Sequence, residues 1–198
     1  MFFQTMPRCW TAYALASSLL LAVGGASAAE SARPVSPELR AALMQAVGAS
    51  DSFAHPFDAE VWLLDMAQRL APFVPEREQR LEWLRLIHAE ATRAGVPPEM
   101  VLAVIEVESR FERFALSHAG ARGLMQVMPF WLEELGRPQD NLFDVATNLR
   151  YGCTILSHYY QRAEGRWHEA LARYNGSFGK LWYPERVFKA LDARWYAR

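Results

Sequence analysis

The sequence predicts an all-α fold, and three observations support this. No run of residues alternates between polar and apolar over the length of a strand. Several segments instead repeat apolar residues at helical spacing, and capping residues, prolines and glycines flank them. The 198 residues, 52% of them hydrophobic, are enough for one core of modest size. A net charge of −1 excludes a polybasic arm and argues against nucleic-acid binding.

The first 28 residues predict a cleaved secretory signal peptide. Arg8 is the lone charge before an apolar run at 11–23, and small residues ending in Ala26-Ser27-Ala28 follow. The run is short for a membrane span, which needs about 20 residues, although an uncleaved anchor remains the alternative. Cys9 precedes the run, so it is not placed like a lipoprotein cysteine. We therefore expect a periplasmic or secreted protein.

Residues 29–80 predict an N-terminal helical extension. Ser36-Pro37-Glu38 supplies an N-cap, a proline at the first helical position and an acid in the first turn, and this helix should run to Gly48. A second helix should follow Asp58. Its inward face carries apolar residues at i, i+3, i+4 and i+7, namely Leu63, Met66, Ala67 and Leu70.

Residues 81–198 predict the main helical domain. A helix that begins near Pro75 should end at Gly95, with an apolar stripe of Leu84, Ile87 and Ala91 flanked by Leu81 and Trp83. Pro97-Pro98 should open another over residues 99–111. Further helices are expected over 144–163, 167–174 and 184–195. Cys153, within the first of these, is expected to be a buried and inert thiol.

Glu108 stands out on the helix predicted over 99–111. At about 100° per residue, it falls in the middle of the apolar face formed by Val101, Val104 and Ile105. Aliphatic surroundings disfavour a carboxylate, so the pKa of Glu108 should rise, and a carboxyl that stays protonated near neutral pH is a usable general acid. A buried glutamate held by a structural arginine is the alternative.

Glu106 falls on the opposite side of the same helix. Arg110 lies four residues further on, at the spacing of a helical ion pair. Glu106 is therefore predicted to be a solvated surface acid.

Three sequence blocks together resemble the catalytic domain of the soluble lytic transglycosylases (SLT), which is goose-type lysozyme-like. Order and spacing both match over roughly residues 82–190. The blocks are Glu108-Ser109-Arg110-Phe111, Gly123-Leu124-Met125-Gln126 with Met128-Pro129, and Tyr174-Asn175-Gly176. The chain departs from the family pattern in having Glu112-Arg113 where Asn-Pro is frequent and Arg173 where a small residue is common.

The resemblance implies roles for single residues. Glu108 would be the catalytic acid and base, Ser117 would face the reacting sugar, and Tyr174 would lie near the glutamate. Met125, Gln126 and Asn175 would bind substrate in the groove. Structural positions are implied for Asn148 with Gly152, at the start of a helix, and for Tyr183, Arg186 and Val187 in a closing helix.

The implied activity is cleavage of the β-1,4 bond between N-acetylmuramic acid and N-acetylglucosamine in peptidoglycan, leaving 1,6-anhydro ends. It needs no metal or other cofactor, and the five histidines show no His-x-x-x-His spacing. The partners expected are peptidoglycan strands and not nucleic acid. The small size also fits local wall opening for a secretion, conjugation or flagellar apparatus.

Three other functions stay open at the level of sequence. The nearest is a hydrolytic muramidase on the same fold, and another is a glycan-binding scaffold protein with vestigial activity. The third is a serine enzyme, for which Ser177-Phe178-Gly179-Lys180 fits Ser-x-x-Lys. Its partner motifs Ser-Asp-Asn and Lys-Thr-Gly are absent from the sequence, which argues against it.

Overall fold

Helices account for nearly all the regular structure of the residues that the structure describes. The computed structural model describes Pro37 and residues 56–196. Seven α-helices and one π-helical turn follow each other in this part: α1 Pro56–Leu70, α2 Arg77–Ala94, α3 Pro98–Glu108, α4 Phe130–Glu134, α5 Val145–Arg162, α6 Trp167–Asn175, α7 Trp182–Ala190 and the π turn Leu191–Trp195. Within these residues the only extended pairing is a pair of isolated bridges at Arg122. The prediction of an all-α fold is confirmed.

Two predicted capping residues begin and end helices at the expected positions. The side chain of Asp144 accepts a hydrogen bond from the backbone N–H of Thr147 at 2.9 Å and so caps α5. Gly95 ends α2 in the left-handed conformation, with φ of 68°. The helix predicted over 36–48 lies outside the described residues, except for Pro37, which is helical.

Three boundaries differ from the prediction, and one helix was not predicted. Helix α1 begins at Pro56, before Asp58, after which it was expected. Helix α3 ends at Glu108 and not near residue 111, because Arg110 and Phe111 have φ of 52° and 65°, which no right-handed helix accommodates. The closing helix begins earlier, at Trp182, and its last part widens into the π turn. The short helix α4 carries no capping signal strong enough to predict it.

The core is built around α3. Every residue from Met100 to Ile105 is buried, so this helix is enclosed on all sides over that stretch. It contacts α2, α7 and the π turn. The stripe predicted on α2 faces this core, with Leu84, Ile87 and Ala91 fully buried, and α1 adds Met66 and Leu70.

A buried ion-pair network joins α2 to α5. Glu90 pairs with Arg93 of its own helix at 2.6 Å and with Arg150 of α5 at 2.9 Å. Arg93 also donates to the hydroxyl of Thr154 at 2.8 Å. Since Glu90 is buried, both arginines are needed to offset the loss of its hydration. The network holds α5, and with it the loop that packs on α5, in register with α2.

Candidate active site

The last residue of α3 is Glu108, whose side chain is partly buried. The hydroxyl of Tyr183, on α7, donates a hydrogen bond to Glu108 Oε1 at 2.5 Å. Tyr183 is itself 1% exposed, so the hydroxyl has no freedom to turn away into solvent. The carboxyl group is therefore held from the facing helix, with one oxygen engaged.

Burial and hydrogen bonding act on the Glu108 carboxyl in opposite directions. Loss of hydration on burial raises the pKa of Glu108, and this effect is the largest. Hydrogen bonds from Tyr183 and Asn175 and the positive charge of Arg186 act to lower the pKa, but the result is a raised value. Glu108 is thus disposed to carry a proton at a higher pH than an ordinary glutamate.

Two tyrosines next to Glu108 stay neutral. Burial raises the pKa of Tyr174 and of Tyr183 well above the usual value, and the negative charge of Glu108 raises both further. Both hydroxyls therefore keep their protons and remain hydrogen-bond donors.

The loop at 123–126 is fastened to the helices on three sides. Ser109 donates to the carbonyl of Leu124 at 2.7 Å, and Asn148 of α5 accepts from the backbone N–H of Met125 at 2.8 Å. Tyr174 of α6 donates to the carbonyl of Met125 at 2.7 Å. The loop thus connects the end of α3 to both α5 and α6, and its backbone has little room to move.

Two glycines allow this loop to pack directly against α5, with no space left for a side chain at either position. A Cβ at Gly123 would lie 2.4 Å from the side-chain nitrogen of Asn148, and one at Gly152 would lie 2.4 Å from the sulfur of Met125. Asn148 fills the remaining space by donating to the carbonyls of Arg122 and Leu142, each at 2.8 Å. Its three hydrogen bonds are all to the backbone, which fits a structural role.

Gln126 and Ser117 lie on the more exposed side of this loop region. Gln126 has φ of 50°, and its amide nitrogen donates to the carbonyls of Gly123 at 3.0 Å and Ala115 at 3.2 Å. The hydroxyl oxygen of Ser117 accepts from the backbone N–H of Ala121 at 3.0 Å. Both side chains thus stabilise the loop that carries them, and both are partly exposed.

Comparison with known proteins decides the family. The model of the transglycosylase SLT domain matches residues 85–196, which is more than half of the chain. The chain belongs to the transglycosylase SLT family. The all-α structure accords with the lysozyme-like fold of this domain.

Curated relatives match this SLT protein over about half of its length. It is 34% identical over 110 residues to a membrane-bound lytic murein transglycosylase F of Desulfosudis oleivorans, which covers 52% of this chain and 24% of that protein. It is 33% identical over 116 residues to membrane-bound lytic murein transglycosylases C of Yersinia pestis and Yersinia pseudotuberculosis, covering 50% of this chain and 32% of each relative. The chain thus spans a third or less of the length of these relatives.

The structure places Met125 differently from the groove position expected for it. Its side chain is 0% exposed and packs against Gly152, with its sulfur 3.9 Å from that of Cys153. A side chain so enclosed cannot touch a ligand in this conformation. What Met125 offers the site is its backbone, which binds Asn148 and Tyr174.

The interpretation of Glu106 as a solvated surface acid paired with Arg110 is wrong. Its side chain is only 20% exposed and accepts a hydrogen bond from the indole N–H of Trp195 at 2.7 Å and one from Arg194 at 3.3 Å. The pairing with Arg110 assumed that α3 continues, but the helix ends at Glu108. Arg110 instead lies over the ring of Phe73, 5.8 Å from its centroid.

The sequence analysis placed Tyr183 in the closing helix but did not identify it as the hydrogen-bond partner of Glu108. It lies 75 positions after Glu108, beyond the reach of any local pattern. The expected neighbour, Tyr174, is indeed close enough for its pKa to respond to the charge of Glu108, but its hydroxyl binds Met125. Cys153 is fully buried, as predicted, and burial raises the pKa of its thiol well above the usual range.

The described residues contain neither a candidate metal cluster nor a candidate membrane span. No group of three or more His, Cys, Asp or Glu side chains among them is arranged to hold a metal ion. No helix of residues 56–196 is long and apolar enough to span a bilayer.

Proposed function

We propose that this SLT protein is a peptidoglycan lytic transglycosylase in which Glu108 is the only acid–base group. The observation that carries the proposal is the Glu108 carboxyl at the end of α3, its pKa raised by burial and one oxygen held by the neutral hydroxyl of Tyr183. The names of the relatives, which are lytic murein transglycosylases, point to the same activity.

The reaction we propose uses Glu108 twice. Protonated Glu108 gives its proton to the oxygen that links N-acetylmuramic acid to N-acetylglucosamine, and the substrate's acetamido carbonyl stabilises the developing positive charge at C1. The Glu108 carboxylate then removes the proton from the C6 hydroxyl of the same muramic residue. That oxygen closes a 1,6-anhydro ring, so Glu108 ends protonated and ready for another turnover.

A single carboxyl fits this route better than the two used by most glycosidases. Glu106, two residues before Glu108, is occupied by Trp195 and Arg194. It is therefore unsuited to act as a second base or nucleophile. With Glu106 engaged in this way, the C6 hydroxyl of the substrate serves as the nucleophile in the proposed reaction.

Substrate binding is proposed for the exposed side of the loop region and the end of α6. Ser117 keeps a donor hydrogen for a sugar hydroxyl, and Gln126 keeps its amide oxygen, because the contacts described above use only their other atoms. Asn175 lies beside Glu108 and is partly exposed. Tyr174 and Met125 would support this loop region from its buried side.

Product analysis tests the proposal. Purified sacculi are digested with the wild-type protein and with Glu108→Gln, and the released fragments are weighed by mass spectrometry. We expect muropeptides with anhydro ends, one water lighter than hydrolysed ones, from the wild type only. Loss of general acid–base catalysis alone should lower the rate by about 10²–10⁴-fold.

Two outcomes would contradict the proposal in different ways. Products with reducing muramic acid ends would show a muramidase, in which water reaches the site. Retained binding to sacculi with no turnover by the wild type would favour the glycan-binding scaffold.

A further inference from the structure

The π turn that follows α7 is held by two helices at once. From α3, Glu106 accepts hydrogen bonds from Trp195 and Arg194. From α1, Arg69 donates to the carbonyl of Arg194 at 2.6 Å and to that of Tyr196 at 3.2 Å. Trp195 is fully buried between them. We call Arg69, Glu106, Arg194 and Trp195 the C-terminal clasp.

Arg69 is oriented for this contact by its own helix. Asp65, four residues earlier, accepts from Arg69 Nε at 2.9 Å and from Nη2 at 2.8 Å. This fork leaves Nη1 directed at the π turn. Because the last carbonyls of a helix lack partners within the helix, a guanidinium that supplies donors there stabilises its end.

Aromatic packing fills the space beneath the clasp. The rings of Phe73, Phe111 and Trp195 lie 5.2 to 6.3 Å apart, centre to centre. Arg194 lies over Phe73, 5.0 Å from its centroid. The left-handed residues after Glu108 are what turn Phe111 into this cluster.

Helix α7 and the π turn are therefore fixed to α3 at two points. Near the start of α7, Tyr183 binds Glu108, and at the far end Trp195 binds Glu106, two residues away from Glu108 on the same helix. The π turn continues α7 without a break. Any displacement of the turn is consequently passed along α7 to the hydroxyl that holds the acid.

We infer that the C-terminal clasp is a positioning device that sets the Tyr183 hydroxyl against Glu108. Through Arg69, helix α1 then belongs to the catalytic unit, although it lies outside residues 85–196 that match the SLT domain. The effect expected on the reaction rate rests on the proposed function. The effect expected on the contact between Tyr183 and Glu108 does not.

The groups that face Glu108 define what a loosened clasp would do. They are Tyr183 and Arg186 on α7 and Tyr174 with Asn175 on α6. The hydrogen bond from Tyr183 favours the charged form of Glu108. If α7 moves and this bond weakens, the pKa of Glu108 rises further, and the proton is no longer aimed at the glycosidic oxygen.

The test compares Arg69→Met with Arg80→Met. Arg80 Nη1 also donates to two backbone carbonyls, those of Val74 at 2.7 Å and Pro75 at 2.8 Å, but it does not touch the π turn. Two quantities are measured for each variant. One is the pKa of Glu108, obtained from the ¹³C chemical shift of its carboxyl group over a pH titration, and the other is the pair of steady-state constants kcat and KM on peptidoglycan.

We expect Arg69→Met to raise the pKa of Glu108 and to lower kcat by up to about 100-fold, the effect of a 1 Å misplacement, with KM little changed. Arg80→Met should leave the pKa and kcat unchanged. In a Tyr183→Phe background, Arg69→Met should have no further effect on the pKa, because both changes act through the same hydrogen bond.

A second pair of variants keeps the inference testable if Arg69→Met does not fold. Glu106→Gln retains an oxygen that accepts from Trp195 and should preserve the pKa of Glu108, whereas Glu106→Ala should raise it. The inference is overturned if folded Arg69→Met or Glu106→Ala titrates like the wild type, or if Arg80→Met shifts the pKa equally. A wild-type protein inactive on peptidoglycan would refute the proposed function alone, since the ¹³C titration needs no turnover.

Discussion

At the scale of single residues, the role proposed for Glu108 in catalysis comes with a cost in stability. Its folded-state pKa is raised by burial, so the folded protein prefers the protonated carboxyl. The stability that this preference brings is present below the unfolded-state pKa and is lost as the pH rises through the raised pKa. Ionised Glu108 then remains in a site that disfavours its charge.

Replacement by glutamine should therefore stabilise the protein at neutral and alkaline pH. Glu108→Gln keeps an oxygen for Tyr183 but carries no charge, so its melting temperature should exceed that of the wild type above the pKa of Glu108. At acid pH, where Glu108 is protonated, the two should melt alike. Calorimetry over a range of pH checks this, and a wild type that melts higher at alkaline pH would contradict it.

The hydrogen bond from Tyr183 should set the alkaline limit of activity. In the proposed reaction, activity needs protonated Glu108 and should fall as the pH rises through the pKa of Glu108. Since the bond lowers that pKa, Tyr183→Phe should move the alkaline limb of the kcat profile to higher pH while lowering the maximum. Tyr160→Phe, which keeps the stack on Trp167, is the matched control. An alkaline limb that moved to lower pH would reverse the assigned sign.

At the scale of elements, the contact between the loop at 123–126 and α5 depends on the missing side chain of Gly152. A methyl group there would meet both the sulfur and the Cβ of Met125. Met125 is enclosed on its other sides, so it cannot yield easily. Gly152→Ala should therefore destabilise the fold by about 1–3 kcal/mol, the usual effect of overpacking, despite the higher helix propensity of alanine.

Chemical denaturation measures this effect. Gln161→Ala, at the exposed end of the same helix, is the control for a substitution to alanine in α5 away from Met125. A Gly152→Ala variant at least as stable as the wild type would mean that the loop can accommodate the added methyl group.

Local patterns predicted the elements well because their causes are local. The start of α5 at Asp144 and the end of α2 at Gly95 follow from hydrogen bonds within one turn. Periodicity explains less about α3, because this helix is enclosed on all sides over Met100–Ile105 and Glu106, on the side predicted to be exposed, is mostly buried too. The end of α3 was missed because it depends on Phe111 turning to join Phe73 and Trp195, which lie far away in sequence.

The surroundings of the acid were harder to predict for the same reason. The partners of Glu108 and Glu106, Tyr183 and Trp195, are 75 and 89 positions away. The groove role of Met125 was implied by the resemblance alone, and nothing in the sequence of this glycine-containing loop indicates that its side chain is buried. The resemblance to the family placed Tyr183 in a closing helix but did not connect it with Glu108.

At the scale of the whole molecule, the predicted signal peptide awaits a direct test. We propose that residues 1–28 are removed on export, that residues 29–80 form an extension, and that residues 81–198 form the catalytic domain. N-terminal sequencing of protein recovered from outside the cytoplasmic membrane should find a start near Ala29 or Glu30. Recovery of Met1 on the exported protein would refute cleavage.

The bond between Arg69 and the carbonyl of Arg194 spans 125 positions of the chain. In a chain threaded unfolded through a membrane from its N-terminal end, Arg69 would emerge long before Arg194. Closing so long a loop carries an entropic cost, and contacts between distant segments form slowly. The apolar face of α1 would meanwhile be exposed on the far side. Such a protein could not complete its fold while it crosses the membrane. Its N-terminal half, which emerges first, would be the part that needs a chaperone.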